Sequence, residues 1–157
     1  MNILIVCLGN ICRSPMAEGI LRKKITERKL KIRVDSAGTA DYHIGDAPDA
    51  RAIDTARIYG IDISGLRGRQ FVINDFDSFD RIYAMDNSNY KNIQKLARND
   101  TDRNKIYYFL NDEKKGLDVP DPWYGEAEGF FPVFDLLDKA SDKILDEIKE
   151  NVLHNNN

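Results

Sequence analysis

Cysteine and histidine are scarce in this chain, two of each among 157 residues. Both cysteines, Cys7 and Cys12, fall in one short stretch, so no framework of structural disulfides can be drawn. Their spacing round one turn instead suits reversible pairing under oxidation. With only His43 and His154 besides, no Cys/His cluster has metal-ligand spacing, and neither metal nor cofactor is expected. No apolar run is long enough to span a bilayer, and the start lacks a basic segment followed by a long apolar one. Basic residues are not in excess. The formal net charge of −3 argues against a nucleic-acid binder, whose footprint is a basic face. Internal repeats, linkers and low-complexity segments are absent too. What remains, 42% hydrophobic and 31% charged, is ordinary for a globular protein large enough to build its own core. The expectation is one cytoplasmic domain over 1–153 with no nucleic-acid and no membrane partner, followed by a frayed tail at 154–157.

What the chain does carry is concentrated in Cys7-Leu8-Gly9-Asn10-Ile11-Cys12-Arg13-Ser14-Pro15. The apolar run Asn2-Ile3-Leu4-Ile5-Val6 before it reads as a buried strand. After it, apolar residues recur at helical spacing from Met16, with Pro15 at a natural first helical position. A tight loop between a strand and a helix N-terminus gathers backbone N–H groups round one point, and the helix dipole adds partial positive charge. Such a cradle binds phosphate or a similar oxyanion. Cys7 points into it, Arg13 returns to clamp two oxygens with its fork of donors, and Ser14 donates to the sulfur. These surroundings favour the thiolate, and the chemistry they suggest is attack of sulfur on phosphorus to give a cysteinyl-phosphate. Cys-x5-Arg alone is a common spacing, and a buried structural cysteine beside an incidental arginine satisfies it. Ser14 and the strand–loop–helix setting turn the reading toward function.

Further along, Ile32–Ser36 reads as a second strand closed by Ala37-Gly38-Thr39, Arg81–Met85 as a third ending on Asp86, and Lys105–Phe109 as a fourth. Asp49 caps a helix from Ala50 to Tyr59 that Gly60 ends, and Asn87 or Ser88 caps another through about Arg98. Phe71–Phe79 has no clean period and reads as a short helix or loop. Leu110–Gly129 reads as a long loop, and loops of that length are usually functional. From Phe130 the apolar positions mark a last amphipathic helix. Strands alternating with helices predict an α/β fold with a small parallel sheet covered on both faces. Ligands in such sheets bind at the carboxyl ends of strands, where Cys7, Ser36 and Asp86 fall.

The loop from Cys7 to Pro15, together with Asp121-Pro122-Trp123-Tyr124-Gly125, closely resembles the low-molecular-weight protein tyrosine phosphatases. Asp35-Ser36-Ala37-Gly38-Thr39, Ile61-Asp62-Ile63-Ser64 and Ala84-Met85-Asp86-Asn87-Ser88-Asn89 resemble further segments of that family in the expected order. The resemblance implies a four-stranded parallel sheet in the order 2-1-3-4. By the same likeness Cys7 matches the nucleophile, Arg13 the phosphate clamp and Asp121 the general acid. Asn10 and Ser14 match residues that hold the loop and stabilise the thiolate. Cys12 matches a second cysteine that shields the nucleophile by disulfide formation, and Leu8, Gly9 and Ile11 complete the phosphate-binding loop. The implied substrates are phosphotyrosine proteins and aryl phosphates, with inorganic phosphate and other oxyanions as inhibitors and a monomer or weak self-association.

The chemistry of Asp121 agrees with this. A phenolate leaves poorly unless an acid protonates it, and a positioned acid contributes roughly 10²–10⁴-fold. Pro120 and Pro122 stiffen the backbone on either side, although Asp-Pro by itself is only a turn signal. Trp123 and Tyr124 are expected on the rim with Tyr42 facing them, since aromatic walls stack on an aryl phosphate and set its depth. His43 could line the entrance, though a surface position is the stronger expectation. Two positions depart from the family. Leu66 stands where many members carry a histidine, which removes a hydrogen-bonding side chain near the loop. Trp123 replaces the first of two tyrosines, leaving Tyr124 as the only candidate there for phosphorylation. A thioredoxin-coupled arsenate reductase shares this loop but needs further cysteines that are missing here. An oxyanion-binding or redox-sensing module would need no Asp121, and the presence of turnover separates it from an enzyme.

Overall fold

The computed structural model describes residues 1–112, 114 and 116–156. Residues 113 and 115, in the polar stretch 111–116, and 157, at the end of the expected tail, lie outside the described residues. Four parallel strands, β1 (Asn2–Cys7), β2 (Arg33–Gly38), β3 (Arg81–Ala84) and β4 (Ile106–Tyr108), form one sheet in the order β2-β1-β3-β4. The chain steps from β1 to one side and then crosses to the other, so the switch point falls at the carboxyl end of β1. Cys7 is the last residue there, in register with Gly38 of β2.

Alternation along β1 divides the core in two. Ile3, Ile5 and Cys7 face one cluster with Met16 and Ile20 of α1 (Arg13–Glu27), Ala52 and Ala56 of α2 (Ala50–Ile58), and Phe130, Leu137 and Leu145 of α6 (Phe130–Asn155). Leu4 and Val6 face the other, with Phe76 of α3 (Asp75–Ser78) and Ile93 of α4 (Asn87–Leu96). Both faces are covered, which is why β1 is an unbroken apolar run. Ile3, Leu4, Ile5 and Val6 are fully buried, and each such side chain contributes about 1.5–3 kcal/mol by leaving water.

Several boundaries differ from the sequence reading for local reasons. The cap of α4 is Asp86, whose side chain accepts from Asn89 N, rather than Asn87 or Ser88; three capable residues follow one another, and tertiary contacts select the first. Part of Phe71–Phe79 is helical, as α3. A short α5 (Asp100–Arg103), capped by Asn99, precedes β4. Within the long segment before α6, Pro122–Tyr124 and Ala127–Gly129 form single 3₁₀ turns. The last helix continues through Asn155 and so takes in His154, whose Nδ1 lies 2.9 Å from Glu150 O. Among the described residues no helix is long and apolar enough to cross a membrane.

Candidate active site

The loop after β1 is held from outside by its carbonyls. Thr39 N donates to Cys7 O, Ala40 N to Leu8 O, Asp49 N to Ile11 O and Met16 N to Cys12 O, at 2.8–3.3 Å. A short loop whose carbonyls bond outward turns its N–H groups inward. Cys12, the residue before α1, offers that helix's first turn no side-chain acceptor, so orphan N–H groups face the same point. Close approach of β2 is possible only because residue 38 is glycine: a Cβ there would lie 2.7 Å from Leu8 O.

Asn10 is the loop's internal strut. Its φ of +58° is one that few side chains tolerate, asparagine among them. Its amide compensates with three hydrogen bonds: Nδ2 donates to Ser14 Oγ at 2.8 Å and Ser36 Oγ at 3.0 Å, and Oδ1 accepts from Arg69 N at 3.0 Å. This orients Asn10 N onto Cys7 Sγ at 3.2 Å. Ser14 Oγ lies 3.0 Å from the same sulfur, and since it accepts from Asn10 its own proton is left for Sγ. On this side of the loop the partner of Asn10 Oδ1 is the Arg69 amide, while Leu66 packs against the core.

Arg13 is 3% exposed, and its Nη1 donates to Asp86 Oδ2 at 2.7 Å and Val119 O at 2.9 Å. Burial pulls its pKa down, but the charge at Cys7 and the hydrogen bond to Asp86 outweigh that and raise it, so the guanidinium keeps its charge. Nη2 stands 3.5 Å from Asp121 Oδ2. Asp121 Oδ1 accepts from Trp123 N at 3.1 Å, capping the 3₁₀ turn that Pro122 begins. The carboxylate is therefore aimed by its own turn and lies beside the Arg13 guanidinium. Burial first, then the negative charges of Asp49 and Cys7, push the Cys12 thiol up, so it stays protonated; both cysteines are free.

These groups open on a cleft of about 230 Å³. Cys7, Leu8, Gly9, Ile11, Cys12 and Arg13 form its floor, and Tyr42, His43, Asp121, Trp123 and Tyr124 its walls. Drug-sized ligands occupy roughly 300–1,000 Å³, so this cleft suits something near a single aryl phosphate. Asn10 and Ser14 sit behind the floor. A larger cavity of about 510 Å³ beside β4 and α6 has no cysteine or arginine among its described lining residues, whereas the smaller one has both.

The residues of the Cys7–Ser14 loop, with Tyr42, Asp121, Trp123 and Tyr124, all come together here. Of the two positions open to His43, the structure has the entrance and not the preferred open surface: it is part of the cleft wall, with Nδ1 3.1 Å from Asp46 Oδ2. Its placement follows from Gly68, where a Cβ would meet His43 O at 2.3 Å. The reading also missed the Asp86 grip on Arg13, for which a strand-end aspartate was a usable signal. The Val119 carbonyl left no signal.

The sequence model of the family described as low molecular weight phosphotyrosine protein phosphatase matches residues 2–154. The low molecular weight phosphotyrosine protein phosphatase of Schizosaccharomyces pombe is 39% identical over 135 residues, 83% of this chain and 85% of its own. Among solved structures, the protein tyrosine phosphatase of Entamoeba histolytica with Hepes in its active site superposes with a TM-score of 0.90. That match has 37% identity over 96% of this chain and 98% of that one. Vibrio vulnificus Wzb in complex with benzylphosphonate superposes with a TM-score of 0.83 at 29% identity, over 93% and 97% of the two chains.

Proposed function

The chain belongs to the low molecular weight phosphotyrosine protein phosphatase family, and from that premise we propose that it hydrolyses phosphotyrosine and aryl phosphates through a phosphate ester of Cys7. Cys7 Sγ attacks phosphorus as the P–O bond to the aryl group breaks, and the Asp121 carboxyl gives its proton to the departing oxygen. In the second step the Asp121 carboxylate takes a proton from water as that water attacks phosphorus. The P–S bond breaks, and Asn10 N–H and the Ser14 hydroxyl receive the thiolate. Both Nη1 protons of Arg13 are taken by Asp86 and Val119. The Nε/Nη2 edge is thus the one left to grip two phosphoryl oxygens, whose charge grows in the transition state.

The observation that carries this reading is the convergence of Sγ, the loop amides, Arg13 and Asp121 on one aromatic-walled cleft. The Hepes and benzylphosphonate of the structural relatives support phosphate and other oxyanions as inhibitors. Protein phosphotyrosines are the natural substrates on this reading, and the enzyme that acts on them is a monomer or weakly self-associating. The free thiols suit the cytoplasm.

The test is the pH profile of p-nitrophenyl phosphate hydrolysis, without added metal, by wild type, Cys7→Ser and Asp121→Asn. Turnover in mild acid, none with Cys7→Ser, and slower turnover with an altered basic limb for Asp121→Asn are the expected results. An inert wild type under reducing conditions would overturn the reading in favour of an oxyanion or redox module.

A further inference from the structure

We propose that Arg51 is a positioning residue for Asp121, fastening the acid's loop to the phosphate loop; this rests on Asp121 being the proton donor. Arg51 lies in the first turn of α2, just after the cap Asp49. Asp49 N is bonded to Ile11 O at 2.8 Å, so this end of α2 is already tied to the floor of the cleft. The Asp49 carboxylate then grips the guanidinium from one side, with Oδ1 accepting from Arg51 Nε at 3.0 Å and Oδ2 from Nη2 at 2.9 Å. With its plane fixed, the guanidinium reaches across to the segment after Asp121: Nη2 donates to Trp123 O at 3.1 Å and Nη1 to Gly125 O at 2.9 Å. Its carbon sits 4.8 Å over the centre of the Phe130 ring, at the start of α6.

The acid therefore lies between two anchors. Upstream, Val119 N donates to Met85 O at 2.8 Å and Val119 O accepts from Arg13 at 2.9 Å. Downstream, Trp123 and Gly125 are held by Arg51. One anchor is the clamp itself, and the other runs through Arg51 and Asp49 to the loop that carries the nucleophile. A proton donor must keep its distance to the leaving oxygen, and a displacement of 1 Å from a remote change can cost about 10²-fold. Lysine cannot substitute, because this anchor uses a planar fork with a carboxylate on one edge and carbonyls on the other.

The test compares Arg51→Met and Arg51→Lys, alone and combined with Asp121→Asn. Phenyl phosphate needs a proton on its leaving group, whereas 2,4-dinitrophenyl phosphate departs without one. Trp123 is the chain's single tryptophan, so time-resolved fluorescence anisotropy reports on the acid's loop without any turnover. Both variants should slow phenyl phosphate about tenfold or more and 2,4-dinitrophenyl phosphate less than about threefold, within the roughly 10²–10⁴ available from a positioned acid. They should add nothing in the Asp121→Asn background and should speed the anisotropy decay. Equal slowing of both substrates, additivity with Asp121→Asn, or an unchanged decay would overturn the inference. If Arg51→Met does not fold, Arg51→Lys carries the same comparisons. Asp121→Asn slowed on phenyl phosphate with Arg51→Lys unaffected sinks the Arg51 role alone; Asp121→Asn as fast as wild type sinks the acid reading with it.

Discussion

Asp86 divides its carboxylate between two tasks: Oδ2 accepts from Arg13 Nη1 at 2.7 Å, and Oδ1 accepts from Asn89 N at 2.7 Å, capping α4. The orientation of the Arg13 guanidinium is thereby locked to the start of a helix on the opposite face of the sheet from α1. The two residues are 73 positions apart, so this is a purely tertiary device.

Asp86→Asn supplies one oxygen where two donors need one each. It should lower kcat/KM for p-nitrophenyl phosphate about 10–100-fold and weaken inhibition by inorganic phosphate, because a misaligned fork meets fewer phosphoryl oxygens. Stability in urea should fall by about 1–3 kcal/mol, less than the roughly 3–5 kcal/mol for a fully buried pair, since the Asp86 side chain is 21% exposed. An unchanged phosphate inhibition constant would refute the orienting role.

Asn10→Ala and Asn10→Gly separate backbone strain from hydrogen bonding. Both lose the three amide hydrogen bonds, but only glycine adopts the +58° φ without strain. Calorimetry should place the glycine variant about 1 kcal/mol above the alanine variant, and both should turn over more slowly than wild type. Equal stabilities would mean that the left-handed conformation is lost in both.

Glu18 on α1 is 1% exposed, and its side chain meets Arg22 Nη2 at 3.0 Å. Burial raises its pKa, with Arg22 and Ser36 partly opposing. The folded state therefore holds this proton more tightly than the unfolded chain. That contribution to stability is complete below the ordinary carboxylate range and is lost as pH rises through the folded value. Glu18→Gln abolishes the titration, so its Tm relative to wild type should be higher at about pH 7 than at about pH 4, by roughly 2–4 °C for each kcal/mol involved. The same Tm difference at both pH values would contradict this.

Alkylation should discriminate between the cysteines. Burial keeps Cys12 a protonated thiol, whereas Cys7 lies on the cleft floor with the donors of Asn10 and Ser14 aimed at its sulfur. Below about pH 8, iodoacetamide should label Cys7 at least about tenfold faster than Cys12, with phosphate slowing the labelling. Peptide mass mapping checks both points, and prior labelling of Cys12 would refute them.

The legible part of the site was whatever lies close together along the chain. Cys7, Arg13 and Ser14 share one strand–loop–helix unit, and the unbroken apolar run of β1, with strands alternating with helices after it, marks a sheet covered on both faces. Asp121 was legible through its flanking prolines and the resemblance they help to carry. The contacts that lock the site were not legible, because they join distant segments through groups of no distinctive type: the Arg69 amide on Asn10, the Val119 carbonyl on Arg13, the Gly125 carbonyl on Arg51. The choice for His43 between entrance and surface was not legible, since its position depends on how closely the chain at Gly68 passes it. The cap of α4 was misread because Asp86, Asn87 and Ser88 are all competent, and only the demand of Arg13 separates them.

The segment that carries Asp121 is gripped through main-chain carbonyls, at Val119, Trp123 and Gly125, while the side chains of Trp123 and Tyr124 remain 46% and 77% exposed. A carbonyl is common to every amino acid. The mouth of the cleft can accordingly be rewritten, by natural drift or by an engineer, with new residues at 123 and 124 that favour different peptide surroundings of a phosphotyrosine. Asp121, just upstream of both, need not move when they change.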